Sequence, residues 1–295
     1  MPTPHPPAKP YRPNVPAKTR FGIMQGRLVP PDGGRFQSFP RERWRDEFPH
    51  ASQAGIDYIE WIVDAYGQDI NPILSPSGLL EFDALKNRHN IATPALCADW
   101  FMDYPLLRCS PEQLAERERF LHALIPIASR IGADHIIIPC VDISRIETDA
   151  DKQTLLNVLA TAVRIAEAND VELHLETDLN ASDFAALLAR IPHPFVKANF
   201  DSGNSSGLGY IASEEFAAYG SRIGSIHIKD RRSKDDGGIA TMPIGTGSTD
   251  FDDVFEAMQS IGYNRDVTLQ VARGRDNDEV NWIRSQLAFV KQYWQ

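Results

Sequence analysis

Between residues 171 and 272 the chain reads VELHLE (171–176), VKANFD (196–201), IGSIHI (223–228) and VTLQVA (267–272), four short apolar runs that each deliver a metal-friendly side chain: Glu176, Asp201, His227 and Gln270. Parallel α/β folds assemble their sites at the carboxyl ends of strands. Two carboxylates, an imidazole and a carboxamide oxygen delivered there would converge on one position suited to a divalent cation. Side-chain alternation supports this placement. With Leu173 and Leu175 facing a helix layer, His174 and Glu176 point inward, and the same parity turns Asn199 and Asp201, Ser225 and His227, and Thr268 and Gln270 to the inside. A lone inward histidine is ordinarily a hydrogen-bonded core residue. Four successive runs ending this way are a different matter, because unpaired buried carboxylates are costly and a shared cation accounts for them together.

Working outward, FGIM (21–24), IDYIEWI (56–62), TPALC (93–97) and DHIIIPC (134–140) bring the candidate strands to eight. Between the runs lie helical patterns. SPEQLAERERFLHALIPIASRIG (110–132) starts on Ser110 with proline at the first helical position and stops at Gly132, and DKQTLLNVLATAVRIAEAND (151–170) and DFDDVFEAMQSIG (250–262) repeat apolar residues near every 3.6 positions. Strict alternation implies parallel strands joined by crossover helices, and eight such units match a (β/α)8 TIM barrel. A doubly wound open sheet is the alternative, but no GxGxxG turn follows an early strand.

The chain has 295 residues, 42% hydrophobic and 24% charged, as expected for a globular protein with a sizeable core. A formal net charge of −10 argues against a broad surface for nucleic acid or anionic membrane. Cys97, Cys109 and Cys140 lack metal-knuckle spacing and are odd in number, which predicts no disulfide framework. With no apolar segment of bilayer-spanning length and no signal core, the expected location is cytoplasmic. Residues 1–20 are proline-rich, contain Lys9, Arg12, Lys18 and Arg20 without an acidic residue, and are expected to form an arm outside a single catalytic domain at 21–295.

NFDSGN (199–204), SIHIKDR (225–231) and PIGTGSTDFDDVFEAMQSIGYNRDVTLQ (243–270) resemble the second half of the xylose-isomerase-like TIM barrels, especially the sugar-phosphate isomerase/epimerase group that includes pentulose- and hexulose-phosphate 3-epimerases. GIMQGRL (22–28) and YIEW (58–61) extend the resemblance more weakly toward the amino terminus. It implies one divalent ion (manganese, magnesium, cobalt or zinc) held by Glu, Asp, His and Glu at the ends of strands five to eight. Glu176, Asp201 and His227 match that set, whereas Gln270 stands where the fourth ligand is a glutamate. An amide keeps a coordinating oxygen but cannot accept a proton at neutral pH. The resemblance assigns the two glutamates to opposite faces of the substrate, so the glutamine leaves three readings. These are a one-base isomerisation or elimination through Glu176, a replacement acid/base from another strand, and a sugar-binding barrel without turnover.

The expected reaction is isomerisation or epimerisation of a sugar, sugar phosphate or keto-polyol. A cation on the carbonyl and neighbouring hydroxyl of a hydroxyketone acidifies the C–H between them and stabilises the enediolate. Glu176 is the candidate base and Lys229 the second proton-handling candidate; Glu60, Trp100, Asp142, His174, Asn204 and Arg273 are candidate substrate contacts. Arg27, Arg231, Arg232, Arg273 and Arg275 lie near strand ends, where a phosphate would be received. Dehydration of a keto-polyol would use the same intermediate. A DNA-repair endonuclease on this barrel needs a further histidine three residues after the strand-six aspartate, where Asn204 stands. The expected partner is therefore a small carbohydrate rather than nucleic acid or membrane, and related barrels form dimers or tetramers.

Overall fold

The computed structural model describes residues 18–233, 238–274 and 278–294. The strands are β1 (Phe21–Met24), β2 (Tyr58–Ile62), β3 (Ala95–Cys97), β4 (His135–Cys140), β5 (Glu172–Thr177), β6 (Val196–Asp201), β7 (Ile223–Ile228), β8 (Asp230–Ser233), β9 (Ile239–Met242) and β10 (Val267–Leu269). Eight of them close into one parallel barrel in the order β1-β10-β7-β6-β5-β4-β3-β2, as the alternation of runs and helices predicts. Helices supply the crossovers. Pro111–Ile131 begins with a capping box between Ser110 and Gln113 and ends on Gly132 at φ 83°, a left-handed value that favours glycine. Its Leu121, Leu124, Ile125, Ala128 and Ile131 are buried. Asp149–Asn169 starts on a second capping box, Thr148 with Asp151, and Phe251–Ser260 is capped by Asp250. Among the described residues no helix is long and apolar enough to cross a membrane.

β8 and β9 form an antiparallel hairpin outside the barrel that the apolar runs did not signal. Its cause lies in Asp230, which is fully buried and accepts the backbone N–H groups of Gly245, Thr246, Gly247 and Thr249 at 3.0, 3.0, 2.7 and 3.1 Å. A Cβ at Gly247 would lie 2.1 Å from Asp230 Oδ1, so only glycine fits the PIGTGST turn there. This nest of donors turns the chain away from the barrel immediately after Lys229. β10 is shorter than its run: it ends at Leu269, although Gln270 N still donates to Ile228 O at 3.0 Å and so keeps its place at the strand end.

The amino-terminal end of the barrel is closed by ion pairs. Arg20 Nε donates to Asp266 Oδ1 at 3.0 Å, and Arg265 Nη2 lies 2.7 Å from Glu172 Oε2. Residues 1–17 of the expected arm, and Arg275, lie outside the described residues.

Candidate metal centre

Glu176, Asp201 and His227 stand at the carboxyl ends of β5, β6 and β7, and Asp201 and His227 are register partners across the β6–β7 ladder. All three are buried, and one ligand atom from each lies within 4.8 Å of the others. His227 Nδ1 is 3.7 Å from Glu176 Oε2 and 3.8 Å from Asp201 Oδ2. Its Nε2 lies 2.9 and 3.2 Å from the two oxygens of Glu60. That contact places a ring proton on Nε2 and turns Nδ1 to the two carboxylates; burial lowers the imidazole's proton affinity, but Glu60, Asp201 and Glu176 outweigh it and raise it, so a cation at Nδ1 would take the place of a proton.

The fit of this set to a cation rests on Asp201. Its Oδ1 caps the short helix Ser202–Gly207 by accepting from Gly203 N at 2.9 Å and Asn204 N at 2.8 Å. Its Oδ2 is buried without a hydrogen-bond partner: Lys229 Nζ at 3.6 Å and His227 Nδ1 at 3.8 Å are both too distant. An unpartnered buried carboxylate oxygen is expensive, and one shared by two carboxylates and an imidazole has the donor chemistry of a divalent cation site.

The charges bias the proton affinities. Burial, then the charge of Asp201, pushes the Glu176 carboxyl up to about 7, with His227 and Lys229 opposing. Burial acts the same way on Asp201, but Lys229 and His227 outweigh it and hold that carboxyl below its ordinary range. Burial lowers the Lys229 ammonium, with Asp201 opposing.

The other expected site residues divide into two groups. Asn204 is inside the site: its Nδ2 donates to Glu176 Oε1 at 2.6 Å, and its Oδ1 accepts from Lys229 Nζ at 3.3 Å. Lys229 also donates to Gln270 Oε1 at 2.7 Å. The carboxamide oxygen read as a fourth metal ligand is therefore turned to an ammonium group. Glu60 is fully buried behind His227, where it accepts from Thr268 Oγ1 at 2.9 Å, so it orients the imidazole rather than facing a sugar. His174 lies one layer deeper, between Ser225 Oγ and Glu172 Oε2 at 2.8 Å each and stacked on His135; it reaches Glu176 only through Ser225 and Asn199. Trp100 is turned into an aromatic cluster with Phe120 and Tyr104, its indole N–H donating to Gln68, because the helix Trp100–Asp103 begins there and packs its rings outward. Asp142 is exposed in a turn at φ 51°, its backbone N–H bound to Asp178. Arg273 fastens the chain after β1 by donating to Phe36 O and Val29 O.

Three groups around the mouth had been given no site role, although Asn199 was expected to face inward. Gln37 bonds to Arg27, Asp99 and Gln270, Asp99 also accepts from Cys97, and Asn199 Nδ2 lies 3.2 Å from both Glu176 Oε2 and His227 Nδ1. Asn199 has the inward parity of its strand. Gln37 and Asp99 follow β1 and β3 in segments with no periodicity to mark them.

The sequence pattern that defines xylose isomerase-like TIM barrels matches residues 48–293. L-ribulose-5-phosphate 3-epimerase of Escherichia coli is 22% identical over 266 residues, covering 84% of this chain and 91% of that protein. D-allulose 3-epimerase from Methylomonas sp., solved with D-allulose, superposes with a TM-score of 0.71 at 16% identity over 95% of this chain and 98% of its own. The IOLI protein, solved with a zinc atom, superposes with a TM-score of 0.74 at 17% identity, over 93% and 99%. At these identities the superpositions speak for the fold.

Proposed function

The chain belongs to the xylose isomerase-like TIM-barrel family, and from that premise we propose that it is a divalent-metal-dependent isomerase or epimerase of a ketose or ketose phosphate, with Glu176, Asp201 and His227 as the protein's metal ligands. The single observation that carries this reading is the partnerless, buried Oδ2 of Asp201 beside Glu176 and His227. Sugar epimerases among the relatives and neighbours supply the substrate class. A bound divalent ion would supply Lewis acidity, lowering the cost of the negative charge that grows on a hydroxyketone's oxygens as the adjacent C–H is broken.

The remaining chemistry belongs to side chains. Glu176 is the base that takes and returns the proton, and Asn204 fixes one of its oxygens at 2.6 Å so that the other faces the site. Gln270 accepts no proton. Lys229, whose Nζ reaches within 2.7 Å of Gln270 Oε1, takes over proton handling on that side. Glu60 keeps His227 in the tautomer that presents Nδ1.

The same pair, one carboxylate base and one ammonium acid, also favours loss of water from a keto-polyol as a second reading, and product analysis separates the two. The test is proton exchange in heavy water by the manganese-loaded protein on a panel of free and phosphorylated ketoses. Deuterium should enter beside the carbonyl of at least one ketose, and Glu176→Gln should abolish it. Manganese binding without exchange on any member would instead make this a sugar-binding barrel.

A further inference from the structure

The side chains of Glu176, Asp201, His227 and Lys229 are only 8, 1, 0 and 5% exposed, so a sugar cannot reach them unless part of the mouth moves. One segment is built to do so. Leu28 and Val29 on one side and Ser38, Phe39 and Pro40 on the other are buried anchors, while residues 31 and 33–36 between them are exposed. At its tip Gly33 and Gly34 both have left-handed backbones, φ 57° and 73°.

Arg27 and Arg273 tie its backbone at Phe36 O, both at 2.8 Å, and the side chain that ties it to the site is Gln37. Its Nε2 donates to Asp99 Oδ2 at 2.7 Å, beyond the end of β3. Its Oε1 accepts from Arg27 Nη2 at 3.0 Å, after β1, and from Gln270 Nε2 at 3.1 Å, after β10. One carboxamide thus ties together three strand ends around the rim. Gln270 passes the contact inward, since its own oxygen accepts from Lys229 Nζ at 2.7 Å, and Lys229 lies 3.6 Å from Asp201 Oδ2.

We propose that residues 30–37 are a lid over the barrel mouth and that Gln37 is its latch and a positioning residue of the site, acting through Gln270 on Lys229. The proposal rests on the ketose reading for what passes the lid, but not for the lid itself. It gives Gln270 a role that a glutamate could not fill. A carboxylate at 270 would have no proton to donate to Gln37 Oε1 and would set like-signed oxygens against each other. Release of Gln37 frees at once Nη2 of Arg27, an amide N–H on Gln270 and Oδ2 of Asp99, a set of donors and acceptor suited to sugar hydroxyls. Gln37 occupies in the closed state the hydrogen-bonding positions that a polyol would take up once inside.

Cys97 reports on the lid directly. It is buried beneath the mouth, its thiol donating to Asp99 Oδ1 at 3.5 Å. In the full chain carrying Cys109→Ser and Cys140→Ala, loaded with manganese and without sugar, the labelling rate of Cys97 by a small maleimide is compared for Gln37, Gln37→Ala and the isosteric Gln37→Met. Both substitutions should speed labelling by about 10-fold or more while the melting temperature moves by less than ~2 °C, since opening is local. On any ketose that shows exchange, they should lower KM with a smaller change in kcat, because the open state that admits substrate is more populated, a split that a general loss of folded protein would not produce. Unchanged labelling in both variants overturns the lid even if the protein turns ketoses over. Faster labelling with no turnover of any ketose supports the lid while removing the isomerase reading.

Discussion

The two ends of the barrel are built from the same kinds of side chain and put them to opposite use. At the amino-terminal end three carboxylates each meet a cation or an imidazole: Glu172 lies 2.7 Å from Arg265 and 2.8 Å from His174, Asp266 accepts from Arg20, and Asp134 lies 2.5 Å from His135. At the carboxyl end the three carboxylates of Glu60, Glu176 and Asp201 share two basic side chains, His227 and Lys229, beside neutral amide and hydroxyl donors, and one oxygen of Asp201 is left without a partner. The paired end behaves as structure, because carboxylates that are matched mainly enforce one arrangement, although Nε2 of His135 is buried there without a partner. The end with surplus negative charge is poised to bind, since a cation removes a deficit that is otherwise met by keeping a proton on Glu176.

Substitutions can break this contrast, and the largest effect is expected at the mouth. Asp201→Asn keeps the oxygen that caps Gly203 and Asn204 but removes the charge, so ketose proton exchange should fall by on the order of 10^4-fold, about 5.4 kcal/mol of barrier, with little change in denaturant midpoint. A surviving rate within tenfold of the parent would show that the surplus charge is not the working part. At the opposite end Glu172→Ala strands Arg265 in a buried position. Urea titration should read a loss of roughly 3–5 kcal/mol, with ion binding at the mouth unchanged.

A smaller effect is expected at a buried carboxyl that stands outside the metal set, behind the loop that follows β1. Glu47 is fully buried, accepts from Gly26 N at 2.6 Å, and is pushed up to about 7 by burial, against an ordinary value of 4.5. Because its folded value is raised, its contribution to stability is complete below about 4.5 and is lost as the pH climbs through about 7. Stability measured from pH 4.5 to 7.5 should therefore carry a downward component on the order of 3 kcal/mol that Glu47→Gln removes. An identical slope in the variant would assign the loss to other groups.

How much of this was legible follows from distance along the chain. Glu176, Asp201 and His227 could be read because each obeys a local rule, an inward parity on a run that stops at a strand end, and barrel closure does the rest. Glu60 had the right parity too, but that it would meet His227 depends on a contact 167 residues apart, which no local pattern encodes. Gln270 was placed correctly on its strand end while its partners were not: Gln37 is 233 residues away, in a loop whose only sequence signal is the Gly33–Gly34 pair. Trp100 illustrates the opposite error, since its place just after β3 suggested a sugar-facing wall, yet stacking on Phe120 and Tyr104 turns it outward. The β8–β9 hairpin went unread because Asp230, which organises it, looks like the polar end of an ordinary run.

The most direct test of the unbalanced mouth is calorimetric titration of the metal-free chain with manganese, run beside Asp201→Asn and Glu172→Gln. One ion per chain should bind to the parent and to Glu172→Gln and fail to bind to Asp201→Asn. In thermal unfolding that ion should add about 2.7 kcal/mol at a free concentration one hundred times its Kd. No ion bound to the parent, or equal binding by Asp201→Asn, would contradict the account.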